Sequence, residues 1–493
     1  MNFLRSLCCG SSPEPTPAEP TPAEPAPRPA VTQDPVRETA KEKVTDTSKE
    51  KVTDTAKEKV NVLEVPKLSS PPSHFITHIS RNPNTPTTKL LKPYLEYELW
   101  LRKAFARGDT ELDGLANLIP VYGQQDEALR IRNIDRQVNN RDKYLMRLPD
   151  GYVEPDGAAA IAASLEDYKR NFGAFTHYWS NIVAAGSSAL LPLLSHDLDI
   201  ENYSDPSVQD PLEKYYQRTA GTSDIDIFIY GLDEDAAIRK ITQIEAVVRK
   251  NQRLTHGIGL ALRTEHAITF VSPKWPYRHV QIILRLYKSI SEVLTGFDVD
   301  CACVAFDGEQ VYTNPRAVAA IATRTNLIDL SRRSPSYENR LYKYRSHDFD
   351  AYWDSLDRSK VDPSRSMRGK QSPELKGLAR IIFFEYVLKK WGNQYLRQRL
   401  LKTIDENGEP TNSGYATLEV PSGERFTASK VRKFVSLHSK EPYVFGTIDQ
   451  VLTEGAKSTK KKGGKLGGRV AFLKDDPGRQ MIGSFHPLTE DDW

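Results

Sequence analysis

Apolar positions fall into two rhythms along this chain, and the rhythm changes from segment to segment. LLKPYLEYELWLRKAFARG carries Leu95, Leu99, Leu101 and Phe105 on a helical pattern after Pro93, with Gly108 as a stop. SLEDYKRNFGAFTHYW opens on a Ser cap and continues as a helix. DEDAAIRKITQIEAVVRK places Ile238, Ile241, Ile244 and Val248 on one helical face behind an acidic first turn. HAITFVS and HVQIILRLY are rich in β-branched residues and predict strands. KSISEVLTG predicts a short helix ended by Gly296, FDVDCACVAF a further strand, and GLARIIFFEYVLKKW a core helix with Ile381, Ile382, Phe384 and Val387 inward. Strands and helices in this mixed order predict an α+β (α/β) fold, a mixed sheet with flanking helices.

The first part of the chain has neither rhythm. PTPAEP repeats between residues 13 and 29, and KEKVTDT units follow from Lys41 to Val60 with one Val each. Such units cannot bury enough apolar surface to offset the entropy of ordering. The expected organisation is a disordered tail over 1–75, a helical N-terminal region over 89–180, a chemistry-bearing domain over 181–365, and a helical C-terminal region over 366–493. The last contains a basic loop, KSTKKKGGKLGGR, from Lys457 to Arg469.

Composition narrows the class. Hydrophobic residues are 39% and charged residues 27% of the 493, within the ordinary range for a soluble domain. With 68 basic and 65 acidic side chains the net charge is only +3, so whole-chain charge gives no strong nucleic-acid signal. The longest apolar stretch, Ile182 to Leu194, is too short to span a bilayer and is broken by Gly186 and Pro192, which predicts no transmembrane segment. MNFLRSLCCG lacks the apolar length of a secretory signal, so an intracellular, cytoplasmic or nuclear, protein is expected. Cys8 and Cys9 beside Arg5 offer an acylation site and hence a weak membrane tether; unmodified residues in a tail are the plainer reading. Cys301 and Cys303 read as core residues.

Three segments carry the candidate chemistry. In VAAGSSALLPLL, Gly186 and Ser187 stand before a helix, where small residues let backbone N–H groups approach a phosphate. In GTSDIDIFIYG, alternation sends Ile225, Ile227 and Ile229 to one face and Asp224, Asp226 and Phe228 to the other. Two adjacent carboxylates repel unless protonated or bridged by a cation, and Mg²⁺ (or Mn²⁺) suits such oxygen ligands and substrate phosphates. In GFDVDCACVAFDG, Asp298 and Asp300 share a face, and either could supply a third carboxylate from a neighbouring strand.

Gly-Ser before a helix, Asp-x-Asp on a strand and a later strand carboxylate together resemble the DNA polymerase β-like nucleotidyltransferase superfamily. VAAGSSALLPLL, SDIDIFIYGLDEDAAIRKI, RHVQIILRLYKSISEVLTGFDVDCACVAFDG and SRRSPSYENRLYKY resemble one branch of it. That branch occurs in fungal, amoebal and large-DNA-virus proteins that are uncharacterised or ankyrin-associated. The resemblance covers about Leu118 to Pro363.

It implies transfer of an NMP group from an NTP to a hydroxyl acceptor, with RNA or another nucleotide among the acceptors. Asp224 and Asp226 would hold the metal, Asp300, with Asp298 as the alternative, would help bind a second metal and activate the attacking hydroxyl, and Gly186 and Ser187 would contact the triphosphate. One departure is HDLDIENYSDPSVQDPLEKYYQRTA, which separates the Gly-Ser element from Asp-x-Asp and reads as a surface excursion that could cover the site. No ankyrin repeat is visible. The competing expectations are a catalytically silent fold that binds nucleotide or a partner, and an Asp-x-Asp glycosyltransferase. SRRSPSYENRLYKY could line a phosphate path, although a helix with solvated basic residues is the plainer reading.

Overall fold

A computed structural model describes residues 64–108, 112–123, 127–149, 151, 153–173, 179–194, 224–254, 260–272, 277–334, 336–361, 375, 377–395, 420, 427–439, 441–457 and 465–473. The repeat tail up to residue 63 with Cys8 and Cys9, the 196–220 excursion and most of the basic loop (458–464) lie outside the described residues.

Fourteen strands are described: β1 (Ile119–Pro120), β2 (Tyr144–Leu145), β3 (Ile182–Ala185), β4 (Ile225–Tyr230), β5 (Leu260–Arg263), β6 (Ala267–Val271), β7 (Val280–Tyr287), β8 (Val304–Phe306), β9 (Val311–Thr313), β10 (Thr325–Leu327), β11 (Asp350–Tyr352), β12 (Val444–Gly446), β13 (Ala456–Lys457) and β14 (Lys465–Leu466). Nine form one sheet in the order β1-β9-β8-β3-β4-β7-β6-β5-β12. β4 and β7 run parallel and every other neighbouring pair in that sheet is antiparallel. β10, β11 and β2 make a second, three-stranded sheet. With its helices this is the expected α+β class with a mixed sheet.

The alternation read in GTSDIDIFIYG explains how β4 is buried. Ile225, Ile227 and Ile229 enter the main core with Ile182, Ala184, Ile241 and Ile282. Phe228 enters a second apolar cluster with Val183, Ala185, Val293 and Ala305. Both faces of the central strands are therefore covered, and Asp226 is half-buried rather than on an open face.

Several helices follow their sequence signals closely. Leu165–Phe172 starts on Ser164, whose hydroxyl accepts from the Asp167 N–H, but it ends at Gly173 (φ 87°), short of the Trp179 that the sequence pattern reaches. Glu234–Asn251 is capped by Asp233 and buries Ile241, Ile244 and Val248. Gly377–Tyr395 buries Ile381, Ile382, Phe384 and Val387.

The helix expected after Pro93 instead begins at Thr87 and runs through the proline to Arg107. The reason is a distant cap: the Asp135 carboxylate accepts from the Thr87 and Thr88 N–H groups at 2.8 and 3.0 Å. Satisfying those end donors stabilises the first turn, and Pro93 removes only one donor near it. Gly108 ends the helix in the left-handed region, as its position suggests.

Two further expectations change. FDVD is not strand: Asp298 lies in a bend, Asp300–Ala302 form a 3₁₀ turn, and β8 begins only at Val304. The regions around 181–365 also contribute to its sheet. β1 from the N-terminal side pairs with β9, and β12 from the C-terminal side pairs with β5. Short strands bounded by turns leave little periodicity, which is why both escape a sequence reading. No helix among the described residues is long and apolar enough to cross a membrane.

Candidate active site

Strand direction gathers the candidate residues. β3 is antiparallel to both β4 and β8, so the end of β3 lies beside the beginnings of β4 and β8. β7, parallel to β4, begins there as well. Gly186–Ser187 after β3, Asp224 and Asp226 at the start of β4, and the turn before β8 therefore converge on one end of the sheet. The Tyr337–Arg345 helix adds Arg340 and Lys343.

Gly186 makes the turn from β3 into the Ser187–Leu193 helix with φ 82° and ψ −145°. Its N–H donates to Val304 O, and its carbonyl accepts from Ala189 and Leu190. Ser187 is buried, and its hydroxyl accepts from the Lys343 ammonium at 3.1 Å.

Asp226 is the electrostatic centre. Withdrawal from water and the neighbouring Asp224 push its carboxyl up to about 7, while Lys343, the Gln281 amide and Arg340 act in the opposite direction. Gln281 Nε2 donates to Asp226 Oδ1 at 3.0 Å. A carboxylate pair under this strain, with one member half-buried, suits a divalent cation.

The later aspartates have other partners. Asp298 is buried; Ser334 Oγ donates to its Oδ2 at 2.6 Å, and Arg340 Nη1 lies 2.9 and 3.0 Å from its two oxygens. In return Asp298 holds the Arg340 guanidinium above its ordinary value. Asp300 is also buried, and its oxygens accept from Arg316 Nη1 at 2.8 Å and the Leu327 N–H at 2.7 Å. Arg316 in turn pairs with Glu98, which also meets Arg332. Burial raises the Asp300 carboxyl despite Arg316.

The structure thus brings Asp226, Ser187 and Lys343 together, with Asp224 acting directly on Asp226. It links Asp298 to the same helix through Arg340, and it ties Asp300 into a buried arginine network. Among the described residues, no group of three or more His, Cys, Asp or Glu side chains is placed to hold one metal ion. The described residues therefore do not form the three-carboxylate cage expected with Asp300 or Asp298. Cys301 and Cys303 are buried thiols, both pushed up by burial.

Gln281, Ser334, Arg340 and Lys343 carry no individual signal in the sequence. The last three lie in SRRSPSYENRLYKY, whose basic residues read most plainly as solvated. The one usable hint is spacing: Arg340 and Lys343, three apart on a helix, share a face.

Residues 160–324 match the family described as Gabija anti-defense 2 (Gad2) family protein, a span holding β3, β4, β7 and β8. The family match covers the strand-borne part of this site but not Arg340 and Lys343, which lie beyond it. An uncharacterised protein of Acanthamoeba polyphaga mimivirus is 32% identical over 238 residues, covering 44% of this chain and 51% of that protein. The chain thus spans about half the length of this relative. No solved structure matches.

Proposed function

We propose that the chain is a metal-dependent nucleotidyltransferase that moves an NMP group from an NTP to a hydroxyl acceptor. The observation that carries this reading is the meeting of Asp224 and Asp226 with Ser187 and Lys343 at one end of the sheet. This joins a carboxylate pair suited to a divalent cation with a cation suited to phosphate. Asp224 and Asp226 would hold Mg²⁺ or Mn²⁺, which when bound would neutralise phosphate charge and orient the reacting phosphoryl group.

The protein's own groups do the rest. Gly186 permits close backbone approach, Ser187 offers a hydroxyl, and Lys343 supplies positive charge where the triphosphate would lie. Arg340, half exposed, adds a second cation on the same helix while remaining paired to Asp298. Positioning and electrostatics are what phosphoryl transfer chiefly requires. The anti-defence role that gives the matching family its description would then fall to this site.

A silent, nucleotide-binding relative is the competing reading, and one observation favours it: no third carboxylate stands with the pair among the described residues. Incubating the protein with labelled NTPs, Mg²⁺ or Mn²⁺ and pooled RNA, followed by product identification, separates the two. Label transfer to any acceptor supports the enzyme. Calorimetric NTP binding without transfer or pyrophosphate release under any condition supports the silent fold.

A further inference from the structure

Gln281 stands where a carboxylate would have to stand to join Asp224 and Asp226 from the adjacent parallel strand. β4 and β7 pair with Asp226 and Gln281 in register, and β7 pairs with β6 with Gln281 opposite Thr269. The three side chains form a relay across three strands. Thr269 Oγ1 donates to Gln281 Oε1 at 3.2 Å, and Gln281 Nε2 donates to Asp226 Oδ1 at 3.0 Å. A carboxylate that holds a cation is ionised and only accepts, so the NH₂ faces Asp226 in that state. Thr269 is itself buried, which holds the relay at its far end.

The other nearby source of negative charge is already committed. Both oxygens of Asp298 face Arg340 and Ser334, and both oxygens of Asp300 are bonded to Arg316 and the Leu327 backbone. Recruiting either to a metal would strip a buried or partly buried arginine of its counter-charge, a costly exchange. A second divalent ion would therefore meet an amide on β7 and cations on the neighbouring helix.

We propose that Gln281 is the positioning residue of this site, pinning Asp226 by one hydrogen bond and, being neutral, leaving the Asp224–Asp226 pair to hold a single divalent cation. Asp226 Oδ1 spends one lone pair on the amide, which leaves its remaining acceptor capacity for the ion. This rests on the reading of Asp224 and Asp226 as metal ligands, and its test must fail separately from that reading.

The test is Mn²⁺ titration of the full chain, followed by electron paramagnetic resonance of free Mn²⁺, with and without a saturating non-hydrolysable NTP analogue. Wild type should bind one Mn²⁺ per chain with the analogue present, and Asp224→Ala with Asp226→Ala should lose it. Gln281→Glu should take up a second ion or bind the first at least tenfold more tightly. Gln281→Ala should keep the one-ion stoichiometry with weaker affinity. In transfer assays it should lower kcat more than it raises the KM for NTP. A thermal melt of each variant confirms folding.

Two wild-type ions that both depend on Asp224 and Asp226 would overturn the single-ion inference while leaving the proposed function standing. A folded Gln281→Glu with unchanged stoichiometry and affinity would overturn the role of Gln281. Mn²⁺ uptake indifferent to the aspartate substitutions would instead overturn the metal-ligand reading itself.

Discussion

Gly186 and Asp226 show how single residues shape the site. At Gly186 an added Cβ would meet only Phe297 Cε2 at an ordinary 3.6 Å, so space is not the constraint; the positive φ is. Gly186→Ala should cost about 1–3 kcal/mol from backbone strain alone, read by chemical denaturation. Asp226 makes stability depend on pH. In the unfolded chain its carboxyl ionises near 3.8, and in the fold burial and Asp224 delay this to about 7. Between those values the folded chain keeps a proton that the unfolded chain has lost. Its stabilising contribution is complete below pH ~4 and declines as pH rises through ~7. Metal-free protein should therefore lose stability from pH 5 to 7.5, and Asp226→Asn should flatten that slope. The pair itself is legible in the sequence, because alternation along GTSDIDIFIYG assigns each side chain a face. Gln281 is not, because its role comes from strand register, and a lone Gln among apolar strand residues gives no signal.

Between elements, buried charge decides what packs where. Glu98 on the Thr87–Arg107 helix meets Arg316 at 3.2 Å and Arg332 at 2.9 Å, and Arg316 also binds Asp300. Burial would raise the Glu98 carboxyl, but Arg316 and Arg332 outweigh it and hold it below its ordinary value. Arg316→Met should remove about 3–5 kcal/mol of stability, because two buried carboxylates lose their shared cation. Denaturation of Arg170→Met, which breaks a pair at the surface, should show under about 1 kcal/mol. The expectation of Asp300 as a metal ligand misses this network for a physical reason. A buried aspartate needs compensation, but sequence cannot say whether a metal or an arginine supplies it. Here Arg316 joins it to Glu98, which lies 218 positions from Arg316 in the chain. A helix cap is legible where cap and helix are adjacent, as at Ser164, and not where Asp135 caps from a distance.

At the scale of the molecule, the site-bearing sheet depends on chain segments far from the motifs. β12 covers the edge of β5, and Arg263 on β5 donates to the carbonyls of Glu454 and Gly467 at 2.6 and 2.5 Å. Phe384 packs on Tyr342 of the helix that carries Arg340 and Lys343, and Glu385 pairs with Arg358. A chain ended after residue 361 would expose the β5 edge and uncover that helix. It should lose cooperative melting and soluble yield, by circular dichroism and sedimentation. The mixed architecture is readable from strand and helix periodicity over 181–365. Two- and three-residue strands such as β1 and β12 are not, since so short a segment carries no period.

On the proposed function, Asp224 and Asp226 make this chain a working transferase. Pyrophosphate release from NTPs, measured with Mg²⁺ or Mn²⁺ across a pool of hydroxyl acceptors, tests it whichever acceptor is used. Wild type should release pyrophosphate, and folded Asp224→Ala/Asp226→Ala protein should release none above background. Equal release by both would contradict the claim.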